Sequence, residues 1–130
     1  MHRYYPEKEP DAAKWLALSE AERLDLATYA HRKERLNPGA ITPHAALHVA
    51  VENQLAMGQP ASVSQAMVRL RSQGLSRHDA VHAIASVLAE HLHAIVLADD
   101  VASKAVPKAY EDAVAMLDGN AWLESFRGDG

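Results

Sequence analysis

The chain has no cysteine among its 130 residues. Disulfides, thiolate zinc sites, iron–sulfur clusters and thiol catalysis are therefore excluded. Aromatic residues are scarce, with one Phe, two Trp and four Tyr, so the core must be built mainly of Ala, Leu, Val and Ile. That composition suits helices that approach one another closely. Strong charge of either sign is also lacking. The formal net charge is −4 with His neutral, which speaks for solubility and against a polyanion-binding surface. Basic residues gather once, at His31-Arg32-Lys33-Glu34-Arg35. No aromatic platform accompanies them, and they read as a solvated helix C-terminus, so no nucleic-acid partner is expected. The longest apolar stretch, Ala80 to Ala98, contains His82, Glu90, His91 and His93. It reads as a buried helix and not as a membrane span. Met1-His2-Arg3-Tyr4-Tyr5-Pro6 has no apolar segment of signal-peptide type. Cytoplasmic residence, with no membrane partner, is the expectation.

What is present is the balance of a globular protein, 48% hydrophobic and 23% charged. The length suits one domain, taken as residues 1–130. No segment alternates with a period of two for more than a few residues, and connections are short. The expected fold is an all-α, single-domain helical bundle of five to six helices with no sheet. Residues 1–10 read as an extended lead-in pinned by Tyr4 and Tyr5, and 127–130 as a frayed tail. The first helix spans about Asp11 to Leu18, anchored by Trp15 and Leu16. Ser19 and Glu22 form a capping box that opens a second helix, from about Glu20 to Leu36. Asn37-Pro38-Gly39 reads as a stop and turn, with Thr42 and Pro43 starting the third helix, to about Met57. Ser62 and Gln65 suggest a capping box for a fourth, from about Val63 to Gln73. Gly58 and Gly74 are the expected C-terminal caps. Ser76 with Asp79 opens the long fifth helix, from about Arg77 to Leu97. A further helix fits Pro107 to Leu117, closed by Asp118-Gly119, before a last short turn holding Trp122, Leu123 and Phe126.

Eight histidines are many for this length. His44 and His48 are four apart on the third helix, and His78 and His82 four apart on the fifth. At 3.6 residues per turn each pair projects from one face. His44 and His48 fall on or beside the stripe of Leu47, Val51 and Leu55, and Glu52 continues the same ridge. His78 and His82 lie at the edge of the fifth helix's stripe, beside Ala85 and Ala89, with His93 further along. Antiparallel packing along these edges would bring four imidazoles together. Three readings compete. One is a metal site of His44, His48, His78, His82 and Glu52, with Asp79 or His93 in support, whose nitrogen and oxygen donors suit zinc, nickel, iron or copper. Another is a metal-free buried cluster. The third is a set of interfacial histidines, each satisfied by itself. His2 and His31 read as surface residues. Enzymatic activity stays open. There is no His-Glu-x-x-His, no Gly-rich phosphate loop and no Gly-x-Ser-x-Gly elbow. Glu90-His91-Leu92-His93 supplies one Glu-x-x-His, but a di-iron bundle needs two. Ser86, one turn past His82, is better explained by packing than as a nucleophile. Glu52-Asn53-Gln54 reads as the solvated side of the third helix.

The stretch from His44-Ala-Ala-Leu-His48 through Glu52 and Leu55, and then Gly74-Leu75-Ser-Arg-His78-Asp79-Ala-Val-His82-Ala-Ile84, resembles a family of bacterial helical proteins described as a domain of unknown function. Trp15-Leu-Ala-Leu-Ser-Glu-Ala-Glu-Arg is similar too. The resemblance covers roughly Trp15 to Leu92 and not the tail after Asp99. It implies His at 44, 48, 78 and 82, Glu at 52, an acidic residue at 79 and a bacterial source. The family usually has Gly where this chain has Ala85. It implies no activity, substrate or metal. The favoured function is a small histidine-cluster protein with a transition-metal site between the third and fifth helices. If that metal had an open position, Glu52 would be the candidate base. The alternative is a non-catalytic, self-associating interaction module with structural histidines.

Overall fold

The computed structural model describes residues 3–31, 38–97 and 108–127. Among them are seven helices and no strand: α1 (Ala12–Ala17), α2 (Glu20–His31), α3 (Pro38–Met57), α4 (Ala61–Ser72), α5 (Arg77–Leu97), α6 (Lys108–Ala115) and α7 (Gly119–Arg127). The seventh is the segment expected as a short turn, and it includes Arg127. Residues 32–35 of the basic cluster and the side chains of His31, Leu92, His93, Ile95 and Phe126 lie outside what is described.

Several helix ends follow directly from local chemistry. Asp11 caps α1 by accepting from the Lys14 N–H at 3.0 Å. Ser19 and Glu22 form the reciprocal box, Glu22 N–H to Ser19 Oγ at 3.1 Å and Ser19 N–H to Glu22 Oε1 at 3.0 Å. Ser76 Oγ accepts from the Asp79 N–H at 3.1 Å to open α5. Gly74, at φ 99°, ends α4. Leu75 N–H reaches the Leu70 carbonyl and Gly74 N–H that of Arg71, while Leu75 and Leu70 are both buried.

Five local expectations are corrected. α3 begins at Pro38, not at Pro43, which lies inside the helix. Pro38 suits a helix start because its missing N–H needs no partner there, and Pro43 forgoes a single intrahelical bond. α4 starts after Pro60 with no side-chain cap, and Ser62 Oγ instead donates to Glu111 on α6 at 3.3 Å. Asp118 does not close α6 but caps α7, its Oδ1 accepting from Asn120 and Ala121 N–H. Gly119 then lets α7 lie against the α4–α5 corner, since a Cβ there would sit 2.7 Å from Leu75 Cδ1. Finally, Trp15 anchors α1 alone. Trp15 is fully buried, whereas Leu16 is exposed. The lead-in is likewise pinned by Tyr4 and not by Tyr5, which is exposed.

α3 is the central element. It packs on α1 and α2, and also on α4 and α5. Ala45 and Val49 join Tyr4, Trp15 and Ala27 in one apolar cluster. Val51 joins Val63 and Leu70 of α4, Ile84 of α5 and Val114 of α6 in the other. The face of α3 that looks at α5 carries the histidines.

Candidate metal centre

α3 and α5 run antiparallel along this face. Position 44 of α3 meets 82 of α5, 48 meets 78 and 82, and 52 meets 77. The i, i+4 spacing stacks His44, His48 and Glu52 on one ridge, and antiparallel packing turns two ridges into a ladder. The His44 and His48 ring centroids are 4.5 Å apart, His44 and His82 5.1 Å, His48 and His82 5.6 Å, and His48 and His78 5.4 Å. One ring nitrogen from each of His44, His48 and His82 lies within 4.8 Å of the others. His48 is fully buried, and His44, His78 and His82 are partly buried. Trp122 of α7 puts its ring edge-on to His82, with centroids 6.1 Å apart.

The fifth expected ligand is placed otherwise. Glu52 is buried, and its two oxygens accept from Arg77 Nη1 and Nη2, each at 2.7 Å. Tyr4 donates its hydroxyl to the same carboxylate. Arg77 also donates to the Pro6 carbonyl at 3.0 Å. Burial pushes the Tyr4 hydroxyl well above its ordinary pKa, and the charge of Glu52 adds to the effect. Burial works against the Arg77 charge, but the hydrogen bonds and charge of Glu52 outweigh it and hold the guanidinium pKa above normal. Glu52 thus serves a buried ion pair one turn along from His48, and a carboxylate so bound is not a base for chemistry at the imidazoles. Asp79 is exposed on the first turn of α5. Of the two flanking alanines, Ala85 is buried and Ala89 exposed.

The family model described as a domain of unknown function, DUF1841, matches residues 7–106. The chain belongs to this DUF1841 family. No curated protein and no solved structure matches it. The matched segment of the DUF1841 chain holds all four histidines, Glu52 and Arg77, while Tyr4 and Trp122 lie outside it.

Sequence reasoning missed Arg77, although a signal existed. An Arg in the first turn of a helix opposes the helix dipole, so its presence there asks for a specific carboxylate. The reading of Glu52-Asn53-Gln54 as a solvated side is also corrected. Successive helical residues diverge by about 100°, and each of the three meets a different neighbour. Glu52 takes Arg77 on α5. Asn53 Oδ1 accepts from Trp15 Nε1 on α1 at 2.9 Å and from Arg23 Nη1 on α2 at 3.2 Å. Gln54 Oε1 accepts from Tyr110 on α6 at 2.9 Å. Ser86 is exposed, not packed, and donates to the His82 backbone carbonyl at 2.9 Å, a bond within its own helix. His91 Nδ1 lies 2.9 Å from the Val87 carbonyl and its ring 6.2 Å from that of Tyr110.

Proposed function

We propose that this DUF1841 protein holds one divalent transition-metal ion, zinc, nickel or iron(II), between α3 and α5, with His44, His48 and His82 as ligands. The reading rests on the three ring nitrogens within 4.8 Å of one another, drawn from two helices that a shared core holds together. A tetrahedral ion bound at 2.0–2.1 Å needs nitrogens about 3.3 Å apart, a spacing that side-chain rotation can bring about from separations within 4.8 Å. His78 is the candidate fourth ligand, its ring 5.4 Å from that of His48. With three ligands and an open position, such an ion would polarise a bound water. No nucleic-acid or membrane partner belongs to this reading. Among the described residues no helix is long and apolar enough to cross a membrane, and cytoplasmic residence is part of the proposal.

Metal content of tag-free protein, measured by mass spectrometry before and after incubation with zinc, nickel and iron(II), tests it. One equivalent is expected in the unaltered chain, with His48→Ala and His82→Ala taking up none while their helical spectra survive. Uptake unchanged in either variant defeats the ligand set. A second reading is favoured by the ring geometry itself. Tilted and edge contacts with centroids 4.5–5.6 Å apart are also those of packed aromatic pairs. It makes the histidines structural parts of a self-associating module, and exposed Val68 and Met116 are apolar groups that a partner copy could cover. That reading predicts empty protein and a concentration-dependent oligomer indifferent to chelators.

A further inference from the structure

We infer that Tyr4, Glu52 and Arg77 form a positioning clamp for the imidazole cluster, one that ties the N-terminal lead-in to the geometry of the site. The inference rests on the metal reading for its consequence but on independent contacts for its geometry. The clamp occupies the next rung of the ladder. Glu52 is one turn from His48 on α3, and Arg77 directly precedes His78 on α5. Two bonds of 2.7 Å in a buried bidentate pair leave α3 and α5 little freedom to slide, because planar guanidinium and carboxylate match in one register only. The lead-in adds three further ties to the same place. Tyr4 donates to Glu52, Pro6 accepts from Arg77, and the Glu7 carboxylate accepts from the backbone N–H of His78 at 2.5 Å. The last contact falls on the residue whose ring lies against His48 outside the closest trio. A shift of the clamp is thus a shift of His78 and His82 relative to His44 and His48.

The chemical consequence is that metal affinity and coordination depend on residues that never touch the ion, as expected of groups that orient metal ligands. The test uses the full, tag-free chain with Zn2+ and Co2+ as probes. Glu52→Gln and Arg77→Lys are expected to weaken Zn2+ affinity by about tenfold or more and to alter the visible absorption of the Co2+ form. Val114→Ala, destabilising but in the α6 core, should leave affinity within about twofold. Wild-type affinity and spectrum in both clamp variants would overturn the inference, as would an equal loss in Val114→Ala. Tyr4→Phe, which keeps the ion pair, replaces any variant that fails to fold and should give a smaller loss in the same direction. If the unaltered chain takes up neither metal, the metal reading fails by itself. The clamp is then read from imidazole ring-to-ring nuclear Overhauser contacts of His48 with His78 and His82. These are expected in the unaltered chain and lost in Glu52→Gln, and their persistence there defeats the positioning role.

Discussion

The two ends of the α3–α5 seam solve the burial of polar groups differently. At one end Glu52 and Arg77 are charged, and every strong bond they need comes from the protein: two bonds between them, one from Tyr4 and one to Pro6. At the other end His44, His48 and His82 are packed ring against ring, and their nitrogens converge on a common space. The first end can be explained by structure alone. A buried charge must be paired or it costs several kcal/mol. At the second end one ring nitrogen from each of three imidazoles lies within 4.8 Å of the others. Imidazoles that converge are the form in which a helical scaffold presents ligands, and this contrast directs the functional reading to the histidines and not to the more conspicuous ion pair.

The largest effect is expected at the clamp. Arg77→Ala leaves a buried carboxylate without its countercharge and should cost about 3–5 kcal/mol in urea denaturation. The double change Glu52→Leu with Arg77→Met should cost less than Arg77→Ala alone. If it costs more, the pair contributes net stability and the contrast with the histidine end must be redrawn. At that end, His48→Ala should cost about 1–3 kcal/mol through lost packing, without the penalty of an orphaned charge.

Alkaline pH probes the clamp more gently. Burial raises the Tyr4 pKa above 10.0. It likewise pushes Tyr110 up to about 12. Both hydroxyls keep their protons longer when folded than when unfolded. Their contribution is therefore fully present below pH 10 and is lost as pH rises through the folded values. Melting temperature should fall between pH 10 and about 12, and less steeply in Tyr4→Phe and Tyr110→Phe. Equal slopes in all three proteins would remove the tyrosines as the cause. The smallest effect concerns helix starts away from the seam. Ser19→Ala should cost about 1 kcal/mol by removing a formed cap, and Ser62→Ala no more than about 0.5 kcal/mol, since its weak contact is to Glu111. Similar losses would show that Ser62 carries more than that contact.

Much of the fold was legible because the signals were local. Ser19 with Glu22, Ser76 with Asp79, and Gly74 followed by Leu75 act through bonds between residues a few positions apart, and these three predicted caps formed. Pattern failed where two local signals competed, as Pro38 and Pro43 did for the start of α3. It failed again where a polar side chain left its own helix, as with Ser62 and with Glu52, Asn53 and Gln54. A polar residue facing water and one facing a buried partner on another helix look the same in one dimension.

The histidine site divides along the same line. The spacing of His44 with His48 and of His78 with His82 determined, by helical geometry alone, that each pair shares a face. It did so because four residues make close to one turn. That the two faces meet, in antiparallel register, was decided by the tertiary packing of α3 on α5. So was the assignment of Glu52 to Arg77 and Tyr4 and not to the imidazoles. These contacts join residues 25 to 48 positions apart, and no periodicity within a helix encodes which charge a second helix, or an extended lead-in, will bring to meet it.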